Sequence, residues 1–100
     1  MNAMSPQLRP VQPSHYAIVA NWPESAEATR RWAGPGVPFP LLPERFAQVL
    51  EIGSRPGWAL LDEQGTCVGF GQYWMTDART AHLGRIIVSP LARGRGLGRL

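Results

Sequence analysis

Proline and glycine divide this chain in two. Eight of the ten prolines lie at or before Pro43, and eight of the eleven glycines lie at or after Gly57. Proline cannot donate to a sheet ladder, whereas glycine weakens helices and serves tight turns and close backbone approaches. The first part therefore reads as helices joined by stiff loops, and the second as strands joined by turns. That division predicts an α/β domain. At 100 residues the chain makes one small domain, and its 44% hydrophobic and 17% charged residues supply a packed core and argue against disorder.

The elements follow from local signals. Residues 1–13 hold three prolines and no apolar run, so they read as a loose leader and not as a secretion signal, with the domain occupying residues 14–100. His15 to Ala20 is a short β-prone run that ends at Trp22-Pro23, giving a first strand. Glu24 to Trp32 places Glu24 and Glu27 early and Arg30 and Arg31 late, the charge order that suits a helix dipole. The proline-rich stretch Gly34 to Pro43 is a connector. Leu42-Pro43-Glu44 then opens a second helix, with Phe46, Val49 and Leu50 on one face and Gly53 as its stop. From Gly57 the period becomes two. Trp58–Leu61 and Thr66–Met75 form a hairpin around Asp62-Glu63-Gln64-Gly65, with Val68, Phe70, Gln72 and Trp74 on one face, and Thr80–Val88 is the fourth strand. Gly69 and Gly71 read as structural, and Trp58, Phe70, Tyr73 and Trp74 as core or pocket wall.

Several function classes drop out. Cys67 is the single cysteine and no Cys/His set has metal-ligand spacing, so neither a disulfide scaffold nor a metal site is expected, and a reducing, cytoplasmic compartment fits. The apolar runs are a few residues long against the ~20 needed to span a bilayer, so no membrane role is expected. The net charge of +3 is unevenly placed: residues 79–100 carry Arg79, Arg85, Arg93, Arg95 and Arg99 and no acid.

That basic end holds the most informative segment. A β-branched strand, Ile86-Ile87-Val88, ends at Ser89-Pro90, and Arg93-Gly94-Arg95-Gly96-Leu97-Gly98 follows where a helix could begin. Glycines at alternate positions let backbone amides approach an anion, a following helix N-terminus aligns further N–H groups, and arginines add charge. Together they describe a phosphate or pyrophosphate cradle. A nucleotide-binding P-loop requires a lysine, which this chain lacks, and the Gly-x-Gly-x-Gly spacing departs from the dinucleotide fingerprint.

The strand, Val88-Ser89-Pro90 and Arg93-x-x-Gly96-x-Gly98 resemble motif A of the GNAT family of N-acetyltransferases. The resemblance extends upstream through Ala81–Val88, Gly69-Phe70-Gly71 and Trp58–Leu61, and more loosely to the two helices. It implies an acyl-CoA N-acyltransferase fold: a mixed, mostly antiparallel sheet with flanking helices, here truncated after the fourth strand. It implies acetyl-CoA as cosubstrate, its pyrophosphate on Arg93, Gly94, Arg95, Gly96, Leu97 and Gly98 and its pantetheine arm along the backbone of Ile86, Ile87 and Val88. The implied reaction moves an acetyl group to a primary amine of a small-molecule or peptide acceptor. His82 occupies the place where some members carry a glutamate general base. It reads either as that base or as a partly exposed strand histidine without a catalytic role.

The same resemblance implies that the C-terminal half of the domain is absent, so that the 100 residues alone are expected to be inactive. The exposed strand would favour a homodimer in which two copies complete one sheet. The competing reading is a small Arg-rich module that binds phosphates of nucleic acid. Against it, the basic excess sits in residues 79–100 while every aromatic residue lies upstream of Asp77, so the two do not share a surface by sequence.

Overall fold

The computed structural model describes residues 6–92. In chain order the elements are β1 (Gln7–Pro10), α1 (Pro13–Ala20), α2 (Ala26–Ala33), α3 (Pro43–Val49), β2 (Gly57–Leu61), β3 (Cys67–Met75) and β4 (Ala81–Val88). The four strands form one antiparallel sheet in the order β1-β2-β3-β4.

Two expectations at the N-terminus are corrected. Within the segment read as a loose leader, Gln7–Pro10 is an edge strand, in register with β2 from Gln7 opposite Leu61 to Pro10 opposite Trp58. The Val11 N–H extends the pairing by donating to the Gly57 carbonyl at 2.9 Å. Proline is tolerated there because an edge strand needs only one side of its backbone for pairing. The run read as the first strand, His15–Ala20, is the body of helix α1. Pro13 supplies the fixed φ of a first helical position, and His15 Nδ1 accepts the Gln12 N–H at 2.9 Å. Val19 and Tyr16 then share a side of the helix, with Val19 fully buried and Tyr16 stacked on Phe46 at 4.6 Å.

The other elements match their expected order and type. Ser25 starts α2 by accepting the Ala28 N–H on its hydroxyl at 3.0 Å, and Gly34, at φ 105°, ends it. Helix α3 stops before Gly53 because Glu51 adopts the left-handed conformation, at φ 59°. Helix α1 packs on α3 and β3, and α2 packs on β4, so the helices cover one face of the sheet. Phe46, Leu50, Ala59, Phe70 and Ile87 meet between the layers, and Phe46 and Phe70 contact edge to face at 5.5 Å. A bulge between β2 and β3 sets Cys67 opposite Leu61, which brings the thiol into this core.

The core also contains polar structure. Gln72 is fully buried, and its side-chain amide donates to the carbonyls of Leu50 and Arg55, both at 2.8 Å. No buried side-chain nitrogen or oxygen among the described residues lacks a partner.

Candidate functional site

The face of the sheet opposite the helices carries a groove of about 480 Å³. Strand alternation places Trp58 and Leu60 of β2, Gly69, Gly71 and Tyr73 of β3, and Leu83, Ile86 and Val88 of β4 along it. Trp58 and Tyr73 stack at 6.4 Å. The two glycines make the floor low: a Cβ on Gly69 would lie 3.1 Å from Leu60 Cβ, and one on Gly71 would lie 3.3 Å from Ile86 Cγ1. Each thus leaves room for a neighbouring side chain while also lining the groove.

The shape of β4 is set by a second bulge. Phe70 lies opposite Ile87 and Gln72 opposite Gly84, so Gly71 alone faces both Arg85 and Ile86. Arg85 takes φ 51° to accommodate the extra residue. Beyond it, Ile86 stands on the groove face, 61% exposed, while Ile87 turns into the core and Val88 returns to the groove. The strand end is tied down at Ser89, whose N–H donates to Val68 at 2.8 Å and whose carbonyl accepts from Ala92 at 2.9 Å. Ile86, Ile87 and Val88 are thus contiguous on a strand at the edge of the described sheet. Arg93, Gly94, Arg95, Gly96, Leu97 and Gly98, the expected anion cradle, lie outside the described residues.

His82 sits elsewhere. It is exposed on β4 in register with Trp74, and the two rings are 4.8 Å apart. That places it on the helix side of the sheet, opposite the face shared by Leu83, Ile86 and Val88. Arg55 lies over the same Trp74 ring at 4.2 Å. The structure therefore does not bring His82 and the groove-facing residues of β4 onto one face.

Sequence reasoning passed over Arg85. Its Nε donates to the Ala33 carbonyl at 3.1 Å, and its Nη1 donates to Leu50 at 2.9 Å and to Gln72 Oε1 at 3.3 Å. Its own carbonyl accepts the Trp32 indole N–H at 2.7 Å. Burial pulls the guanidinium below its ordinary pKa, nearby Arg55 adds to that, and Glu51 opposes it. The available signal was Gln72, a polar residue in an apolar strand row, which requires a buried partner. Among the described residues no group of His, Cys, Asp and Glu could hold a metal ion, and no helix is long and apolar enough to cross a membrane.

Three solved structures share this architecture. An acetyltransferase from Thermus thermophilus matches with a TM-score of 0.65 at 24% identity, covering 99% of this chain and 66% of that one. A dodecameric spermidine N-acetyltransferase from Vibrio cholerae matches at 0.62 and 17%, covering 95% and 56%. A ribosomal-protein-S5-alanine acetyltransferase from Vibrio fischeri matches at 0.62 and 18%, covering 99% and 60%. The chain thus spans 56–66% of the length of these proteins, and at such identities the likeness speaks to fold. The description of the Acetyltransferase (GNAT) family matches residues 19–100, from the end of α1 through the bulged edge strand and the Arg- and Gly-rich segment. With sheet order and family match in agreement over most of its length, the chain belongs to the GNAT family of acetyltransferases.

Proposed function

We propose that this chain takes part in acetyl transfer from acetyl-CoA to a primary amine, in the cytoplasm. The observation that carries this reading is the end of β4: a bulged strand at a sheet edge, beside an apolar groove, running directly into the Arg93–Gly98 segment. An antiparallel edge strand offers backbone N–H and C=O groups along its outer side, which suits the amide-bearing pantetheine arm. The residues fit the cosubstrate in kind: Ile86, Ile87 and Val88 would hold the arm, and Arg93, Gly94, Arg95, Gly96, Leu97 and Gly98 would hold the pyrophosphate. In the transfer, the amine nitrogen forms a bond to the thioester carbonyl carbon, the carbon–sulfur bond breaks, and CoA leaves as the thiol after the amine proton is removed.

The acceptor class follows from the same chemistry, an uncharged primary amine on a small molecule or a peptide. The Vibrio cholerae neighbour acts on spermidine and the Vibrio fischeri neighbour on an alanine of a ribosomal protein, which are one acceptor of each kind. A homodimer that leaves the Ile86–Val88 edge open to the arm is the assembly compatible with this reading. His82 would serve as base from the helix side of β4.

Calorimetric titration tests the reading. Gly96→Asp and Gly98→Glu add bulk and negative charge where the pyrophosphate is placed, and each should abolish acetyl-CoA binding. Affinity retained within about twofold in both variants, a difference of only a few tenths of a kcal/mol, would sink the cradle. CoA should also bind more tightly than ADP. Equal affinities that fall steeply with salt, alongside duplex DNA binding, would move the assignment to a nucleic-acid module. For His82→Gln, wherever turnover is measured, unchanged CoA affinity with a lost acidic limb in the rate profile is the outcome expected of a base; an unchanged profile removes it from the mechanism.

A further inference from the structure

Arg85 occupies a backbone position that favours glycine. With φ at 51° it stands in the left-handed region, at the inserted residue of the β4 bulge. The glycine beside it is used for something else: a Cβ on Gly84 would lie 2.9 Å from the Trp74 ring. A long, forked cation therefore stands where the main chain alone would select the smallest residue, and what its side chain reaches explains why.

The Ala33 carbonyl ends α2 and the Leu50 carbonyl caps α3, so the guanidinium serves two helix C-termini at once. Carbonyls there lack partners within the helix and carry the negative end of its dipole. Gln72, beside Gly71 on β3 and in register with Gly84, donates to the same Leu50 carbonyl and accepts from Arg85. Trp32 of α2 holds the Arg85 main chain through its carbonyl. The charged groups around this contact are Arg55 and Glu51, which pair with each other at 3.8 Å. One residue of β4 is thus fixed by side chain and by main chain to both helices, and the next residue, Ile86, points into the groove.

We propose that Arg85 is a positioning residue: by tying the C-terminal ends of α2 and α3 to the bulge of β4, it fixes the register and outward aim of Ile86–Val88 and so prepares the strand edge for acetyl-CoA. The proposal rests on the acetyl-CoA reading above. Lysine cannot replace this contact in full, because a single ammonium lacks the planar fork that spans separated carbonyls. Glycine would accept the backbone conformation while removing the tie, which makes it the sharper variant.

The test compares wild type, Arg85→Lys and Arg85→Gly as the full 100-residue chain, by amide hydrogen exchange without ligand and by calorimetry with acetyl-CoA. Arg85→Gly should speed exchange at Ile87 and Ser89 by about tenfold while amides of β1 and β2 keep their rates, and weaken acetyl-CoA by about tenfold. Arg85→Lys should fall between the two. Uniform loss of protection through every strand, with Lys no better than Gly, would make Arg85 a general stabiliser and overturn the proposal. So would unchanged exchange at Ile87 and Ser89 with affinity within about twofold of wild type. If wild type fails to bind acetyl-CoA while exchange follows the expected order, the functional reading and the cosubstrate half of the proposal fall, and the register-fixing role stands.

Discussion

Gln72 is the polar side chain on which the two layers agree. Its amide serves Leu50 and Arg55, and its oxygen faces Arg85, so one residue of β3 links the α3–β2 connection to β4. Replacing it with leucine keeps the volume but leaves the Arg55 carbonyl and one Arg85 donor without this partner. Gln72→Leu should cost about 1–3 kcal/mol, the range for orphaning a buried polar group, read as a lower urea midpoint at unchanged slope. A loss under about 0.5 kcal/mol would show that water replaces the amide freely. Cys67 gives a second residue-level outcome. Burial pushes its thiol pKa up, so the folded state favours the protonated form over the thiolate. A raised folded pKa contributes stability that is complete below the unfolded value, near ~8.5 for a thiol, and declines as pH rises through the folded value. Stability should therefore drop more as pH rises above about 8.5 in wild type than in Cys67→Ala, and equal slopes would refute it.

At the scale of elements, α2 is the one whose beginning is set by a single bond. Ser25→Ala removes the hydroxyl that accepts the Ala28 N–H and should destabilise the fold by about 1 kcal/mol, with thermal melting lowered by several degrees. Melting unchanged within a degree would mean that packing against β4 alone holds the helix. This start was visible only in outline, because Glu24 and Glu27 gave the charge order while the cap lies between them. The hairpin β2–β3 and the strand β4 were legible because period-two alternation and turn residues are local signals. The N-terminus was not. Tyr16 to Ala20 is too short and too uniformly apolar for its period to separate helix from strand, and the decision rests on Phe46, thirty positions away. The pairing of Gln7–Pro10 likewise depends on Trp58–Leu61, which no local signal announces. In the site, the strand end stood out by its sequence, whereas the Arg85 contacts join residues 13 to 53 positions apart and leave no trace in any window.

For the whole molecule, the governing feature is the unequal treatment of the two sheet faces. Among the described residues every helix lies on one side, and Leu83 at 70% and Ile86 at 61% exposure stand on the other. A contiguous apolar patch of this kind binds hydrophobic dyes and promotes association. The isolated chain should enhance anilinonaphthalene sulfonate fluorescence in its folded state, and Leu83→Gln should reduce the signal without lowering thermal stability. Absence of any enhancement in the wild-type chain would show that this face is covered in solution. Tyr73 is the one ionisable side chain lining the groove among the described residues, so the 100 residues by themselves should bind CoA compounds without turning them over. A thiol-release assay with an amine panel checks this, and sustained release would show that side chains outside the groove, His82 first, complete the site. The placement of the tryptophans adds an optical consequence. Trp58 lies on the groove, Trp32 donates to the Arg85 carbonyl, Trp74 lies beneath Arg55, and Trp22 is buried in the core. Each indole samples a different compartment, so single Trp→Phe replacements divide the intrinsic emission into separate channels. A ligand in the groove is then seen through Trp58, a shift of the bulge through Trp32, and loss of the core through Trp22, in one cuvette and without a label.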